Sequence, residues 1–135
     1  MEIQDAIGAD IIMAFDECAS GNASYDYAKG AMDRTHRWAE RSLARWRELG
    51  KIREEKNLHP QALFGIIQGV IYDDLRRESC QHIASLDTPG IAIGGLSVGE
   101  SKEDMYHILD VLAPILPVEK PHYLMGVGTP EDLIE

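Results

Sequence analysis

Leu63-Phe64-Gly65-Ile66-Ile67-Gln68-Gly69 runs through apolar and small residues without alternation and ends in an amide and a glycine. A short continuous apolar run bounded by such residues reads as a strand covered on both faces, the condition of a parallel sheet. Three other stretches repeat the pattern. Ile11-Ile12-Met13-Ala14-Phe15 runs into Asp16-Glu17-Cys18, and Ile91-Ala92-Ile93 runs into Gly94-Gly95-Leu96-Ser97-Val98-Gly99-Glu100. His122-Tyr123-Leu124-Met125 runs into Gly126-Val127-Gly128-Thr129-Pro130. Helical character follows each run, which is the rhythm of repeated β-α units. Ligands of such sheets bind at the carboxyl ends of the strands. One carboxylate, one amide and two glycine-rich turns therefore fall on one rim.

The intervening helices read from apolar spacing. From about Asp26 to Leu49, Ala28, Ala31, Met32, Thr35, Trp38, Ala39, Ser42, Leu43 and Trp46 recur at helical intervals, which makes the two tryptophans core residues rather than base-stacking ones. Gly50 is expected to stop this helix, and Lys51 to Lys56 to form a helical extension or an exposed loop. A second helix, about Asp73 to Ser85, turns Leu75, Cys80, Ile83 and Ala84 inward, with Cys80 as a small buried hydrophobe. Ser101 to Asp104 reads as an N-terminal cap for a third, ended by Pro114 and Pro117. Thr129, Pro130, Glu131 and Asp132 read as the start of a fourth.

The chain has 135 residues, 44% of them hydrophobic, enough for one real core. A closed (β/α)8 barrel takes about 250 residues. The reading is therefore an α/β fold whose consecutive β-α units over residues 1–135 form about half of such a barrel, with two open edges. With 23 acidic against 13 basic residues the formal net charge is −10, which argues against a generic phosphate-binding surface. Two cysteines, Cys18 and Cys80, are too few for a disulfide framework and point to a reducing, cytoplasmic setting. Neither they nor the histidines show metal-ligand spacing, so no metal site is expected within the chain. No apolar run approaches the roughly 18 residues of a membrane helix.

The rim has chemical meaning as a group. Asp16 can accept two N–H bonds from one planar group, and Gln68 can both donate and accept. Gly94 and Gly95 allow a backbone N–H to reach a ligand carbonyl, and Met125 can pack on an aromatic face. Together they suit a purine with adjacent N–H donors and a carbonyl, as in guanine. Singly, each has a structural explanation: a helix cap or turn for Asp16, a steric turn for the glycines. Four in register carry more weight.

Phe15-Asp16-Glu17-Cys18, Phe64 to Gly69, Ile93 to Glu100 and Tyr123 to Gly128 resemble the consecutive motifs of tRNA-guanine transglycosylase, most closely the bacterial-type queuine tRNA-ribosyltransferase. The similarity runs over essentially the whole chain. The resemblance implies a (β/α)8 barrel with a zinc subdomain absent from this chain. It implies a transferase of queuosine biosynthesis that exchanges guanine for a 7-deazaguanine at the tRNA wobble position, through a covalent enzyme–RNA intermediate. Asp16 would bind the base edge, Gln68 and the Gly95 N–H the purine carbonyl, and the Leu96 carbonyl the aminomethyl group of the incoming base. Met125 would pack on the base, with Cys18, Gly94 and Glu100 lining the pocket and Glu100 linked to switching the backbone. The nucleophilic and proton-transfer aspartates are expected outside this chain, which would be an internal fragment inactive alone. Partners implied are tRNA, the base and, for the full-length family, a second copy. Val70 and Ile71 replace the small residues usual after Gln68-Gly69. A second reading is a non-catalytic half-barrel that assembles with itself or a partner chain. A third, an unrelated barrel enzyme, lacks a strand-end lysine or a phosphate-cradling loop.

Overall fold

The computed structural model describes residues 1–131. In chain order the elements are α1 (Glu2–Ile7), β1 (Ile11–Met13), α2 (Tyr25–Glu55), β2 (Ala62–Ile67), α3 (Asp73–Ser85), β3 (Gly90–Ile93), α4 (Lys102–Leu112) and β4 (His122–Leu124). The strands form one sheet in the order β1-β2-β3-β4, all parallel. Ile12 pairs with Leu63, Ile66 with Ala92 and Ile93 with Leu124. Each strand is joined to the next by a helix, so the chain forms the open β/α half-barrel expected from its sequence.

Alternation along β2 sets the two faces. Leu63 and Ile67 join Ile12, Ile91 and Ile93 in the main core, closed by Ala39 and Leu43 of α2, Cys80 and Ile83 of α3, and Ile108 and Leu112 of α4. Burying side chains of this size contributes about 1.5–3 kcal/mol each before entropy is counted. Gly65 shares that face because α3 lies too close for a side chain: a Cβ there would sit 2.7 Å from Ile83 Cγ2. Phe64 and Ile66 point the other way and cluster with Ala92 on the concave face, flanked by Met13 and Met125. The Phe64 ring lies over Gly90, where a Cβ would meet it at 2.2 Å. Gln68 continues the phase of Phe64 and Ile66.

The structure departs from the sequence expectation in four places. First, α2 continues through Gly50 to Glu55, so Lys51 to Glu55 is a helical extension. Nothing lies within 4 Å of a Cβ at Gly50, which is exposed and helical. Second, the tryptophans are half-buried: Trp46 packs on the core and donates to the Gln61 carbonyl at 2.9 Å, while Trp38 meets Phe15 with ring centroids 5.1 Å apart. Third, α1 has no counterpart in the sequence reading. Its Gln4 side chain donates to Met13 O at 2.7 Å and accepts from Met13 N at 3.0 Å, so it occupies the outer edge of β1. Fourth, the two open edges expected of a half-barrel do not leave the strand interiors bare: Ile12 and Ile66 are buried, and Leu124 is half-buried. The cap of α4 forms as expected, with Ser101 Oγ accepting from Asp104 N at 3.0 Å. Much of the helix expected after Thr129 falls on 132–135, outside the described residues.

Candidate functional site

Asp16, Gln68, Gly94 and Met125 leave their strands at the same end of the sheet. Gln68 Nε2 donates to Asp16 Oδ2 at 2.7 Å, so the carboxylate and the amide predicted from sequence form a pair. An ionised carboxylate only accepts, which turns the amide NH2 toward it. Gln68 Oε1 is left toward Gly95, where a Cβ would meet it at 2.2 Å. A Cβ on Gly94 would meet Gln68 Nε2 at 2.9 Å and Met125 Sδ at 3.6 Å. The absence of side chains at these two glycines is therefore what admits Gln68 to the rim. Gly95 also has φ +64°, a conformation glycine adopts at little cost.

Cys18 lies beside this cluster. The Gly95 N–H faces its sulfur, and Asp16, Arg76 and Glu100 act on it through space. Burial, then the negative charge of Asp16, pushes the thiol up, against smaller opposing effects from the Gly95 N–H and Arg76. Cys18 is thus a neutral thiol at pH 7, the inert form of the side chain.

Glu100 folds back onto its own loop. Its carboxylate accepts from the N–H of Ser97 and, at 2.9 Å, from that of Val98. Ser97 has φ +60°. In a trans peptide the C=O and N–H point in opposite directions, so the Leu96 carbonyl is turned away from Glu100. The Leu96 side chain is buried in the core and anchors the loop from below. This loop also packs against the β1–α2 loop: Gly21 N donates to Val98 O at 3.1 Å, and a Cβ on Gly21 would strike Glu100 N at 2.5 Å. A cleft of about 270 Å3 lies beside it, lined by Ser97, Glu100, Met105 and Gly126 to Thr129. A larger one, about 630 Å3, lies at the opposite end of the sheet between α2 and Pro60-Gln61 and contains none of the rim residues.

Two residues near the rim went unremarked in the sequence. Glu17 accepts from Tyr27 Oη at 2.9 Å and pairs with Arg34, tying the Asp16 segment to α2. Arg76, in the first turn of α3, is completely buried. It donates to the carbonyls of Val70 (2.7 Å), Ile67 (3.4 Å), Gly94 (2.7 Å) and Gly95 (2.8 Å). Behind Gln68 a second buried link runs outward: Gln68 N donates to Ser79 Oγ at 3.0 Å, and Ser79 Oγ lies 3.0 Å from His36 Nε2. His36 stacks on His82 at 4.2 Å. Among the described residues, no group of three or more His, Cys, Asp and Glu is placed to hold a metal ion. No described helix is long and apolar enough to cross a membrane.

An open parallel sheet of consecutive β-α units is part of a β/α barrel, a fold whose ligand sites lie at the carboxyl ends of the strands. Comparison with known proteins narrows that class. The chain matches the queuine tRNA-ribosyltransferase (TGT) family over residues 1–135. It is 55% identical, along its whole length, to a queuine tRNA-ribosyltransferase of Thermoanaerobacter sp. (strain X514), covering 34% of that protein. It is 57% identical over 98% of its length to one from Herpetosiphon aurantiacus, covering 31% of it. A third, from Geobacillus thermodenitrificans, is 53% identical over 99% of the chain, which covers 33% of it. The chain belongs to the queuine tRNA-ribosyltransferase family, and spans about a third of the length of the curated relatives it matches.

Proposed function

We propose that the protein carrying this chain exchanges guanine for a 7-deazaguanine at the wobble position of tRNA, through a covalent enzyme–RNA intermediate, and that this chain supplies most of its base pocket. The observation that carries the reading is the Asp16–Gln68 pair set against the Gly94-Gly95 turn. Asp16 accepts the adjacent N–H groups of the base edge. Gln68 and the Gly95 N–H take the purine carbonyl, and Met125 covers the ring. The peptide held by Glu100 leaves the Leu96 carbonyl to accept from the aminomethyl group of the incoming base. A base bound this way selects guanine over adenine, because adenine presents an amino group where the site offers a donor. Each charge-assisted bond contributes about 1.5–3 kcal/mol to that choice.

The covalent step needs an aspartate on the ribose, which this reading places outside residues 1–135. The same reading places the zinc subdomain and a second copy of the full-length protein outside them as well. The tRNA is gripped largely by groups outside this acidic chain, and the setting is the cytoplasm.

Asp16→Asn in the full-length protein tests the reading. The amide places a donor against the donors of the base. Guanine binding measured by calorimetry should weaken about tenfold or more, the scale of one lost charge-assisted bond, with the melting temperature nearly unchanged. Unaltered guanine affinity would remove Asp16 from the role.

A further inference from the structure

Arg76 is a costly residue where it stands. Its guanidinium is fully buried, and all of its hydrogen bonds run to backbone carbonyls. It occupies the first turn of α3, where the helix dipole disfavours a cation. Burial lowers its pKa to about 10, still cationic at pH 7, with Glu100 and Cys18 acting in the opposite direction. A leucine would fill the space without the desolvation cost of a buried charge.

What the guanidinium holds explains its presence. Two of its carbonyl partners, Ile67 and Val70, flank Gln68 and Gly69. Val70 has φ +55°, a strained conformation for a β-branched side chain. Its carbonyl is pinned by Arg76 Nε at 2.7 Å. The other two partners are the carbonyls of Gly94 and Gly95, each bound by a different terminal nitrogen. The planar fork thus bridges the turn after β2 to the turn after β3, the two turns that carry Gln68 and the Gly95 N–H. In a trans peptide, fixing the Gly94 carbonyl aims the Gly95 N–H the opposite way. It faces Cys18, which is exposed on the rim. A carbonyl that accepts from a cation also makes the N–H of the same peptide a stronger donor, since linked hydrogen bonds polarise one another.

We infer that Arg76 is the positioning residue for recognition of the purine carbonyl: its guanidinium fixes the Gly94-Gly95 peptide so that the Gly95 N–H is held ready for that oxygen, and locks the turn that presents Gln68. Arg76 touches no base; it acts through the backbone. The inference rests on the base-exchange reading above and adds to it the group that sets its selectivity.

The test compares guanine with 6-thioguanine in the full-length protein. Both carry the N1–H and 2-amino donors that Asp16 would accept from, and they differ in the acceptor atom at C6. Dissociation constants for both are measured for wild type, Asp16→Asn and Arg76→Lys. Lysine keeps the charge but cannot span four carbonyls in one plane. Arg76→Lys should weaken guanine about tenfold, as for one buried hydrogen bond, and 6-thioguanine by about twofold or less. Asp16→Asn should weaken both alike. Equal losses for the two bases in Arg76→Lys, or no loss, would reduce Arg76 to a structural role and overturn the inference while leaving the base-exchange reading intact. A wild-type protein without preference for guanine over 6-thioguanine would overturn the inference, and an Asp16→Asn variant with full affinity for both bases would overturn the base-pocket reading on which it rests. Should Arg76→Lys not fold, the wild-type structure with guanine bound decides: Gly95 N beyond hydrogen-bond distance of the carbonyl oxygen would overturn the inference.

Discussion

At the scale of single residues the rim is organised by what glycine permits. At Gly95 a Cβ would meet Gln68 Oε1 at 2.2 Å, and φ +64° would strain any other residue. Gly95→Ala in the full-length protein should displace the Gln68 amide and cost about 1–2 kcal/mol of stability. Guanine binding should fall more steeply than stability, and a melting curve run beside calorimetry separates the two. His36 provides a different kind of residue-level effect. Burial first, then the facing His82, lowers its pKa to about 4, with Lys29 adding to the fall and Asp33 opposing it. The unfolded chain, with an ordinary histidine near 6.5, therefore binds more protons between those values. This contribution to stability is full above about pH 6.5, declines as pH drops, and levels off near pH 4. Urea midpoints of wild type and His36→Gln, compared across that range, should converge as the pH falls; parallel curves would show that His36 does not titrate in this way. The rim placement of the candidate residues is largely legible in the sequence. Asp16, Gln68 and Gly95 were readable because strand ends are marked by apolar runs that stop. Arg76 was not, because an arginine in an otherwise amphipathic helix reads as solvent-facing, and no spacing rule announces a cation that binds only backbone.

At the scale of elements, legibility followed length and periodicity. The four strands stood out as continuous apolar runs, although β1 and β4 pair over fewer residues than those runs span. The six residues of α1 carry less than two turns of pattern and bury none of their side chains, so the sequence held no periodic signal for it. Gly50 reads as a stop for α2, whereas an exposed helical glycine only lowers stability and the helix runs on to Glu55. Gly50→Ala places a methyl into open space within a 31-residue helix and should stabilise the protein by about 0.5–1 kcal/mol, read as a rise in the urea midpoint at constant slope. Ser101→Ala should do the reverse at α4. It removes the oxygen that accepts from Asp104 N and the hydroxyl that donates to Asp104 Oδ2 at 2.8 Å, with a cost of about 1 kcal/mol. Because Ser101 adjoins Glu100, that loss should also loosen the loop held by Glu100, which hydrogen exchange at Val98 N–H would detect.

For the whole molecule the question is what an open half-barrel does with its edges. The order β1-β2-β3-β4 leaves one side of β1 and one side of β4 without a strand partner among the described residues. The two are treated differently. Gln4 satisfies both backbone groups of Met13, so the β1 edge is blunted from within the chain. Glu2 and Asp5 tie the same helix to α2 through Arg45 and Arg53. At β4, His122 and Tyr123 are exposed, and Tyr123 pairs with Ala92 in the phase of the concave face. Exposed apolar side chains lie around the first unit (Ile3, Ile7, Ile11 and Phe15), at the two ends of α2 (Tyr25, Tyr27, Ile52 and, just after it, Leu58) and toward the far edge (Val118 and Tyr123). A formal charge of −10 slows association without supplying hydrogen bonds to an unpaired strand. A polypeptide limited to residues 1–135 should therefore associate with itself in a concentration-dependent way, chiefly through β4. Light scattering from dilute to concentrated protein should show rising mass, and a dye that reports exposed apolar surface should bind. Tyr123→Lys places a charge on the edge strand, the device natural sheets use against such pairing, and should return the mass toward that of a monomer. Constant monomer mass for the unmodified chain, with no dye signal, would show that the β4 edge does not pair with a second copy and would overturn the prediction.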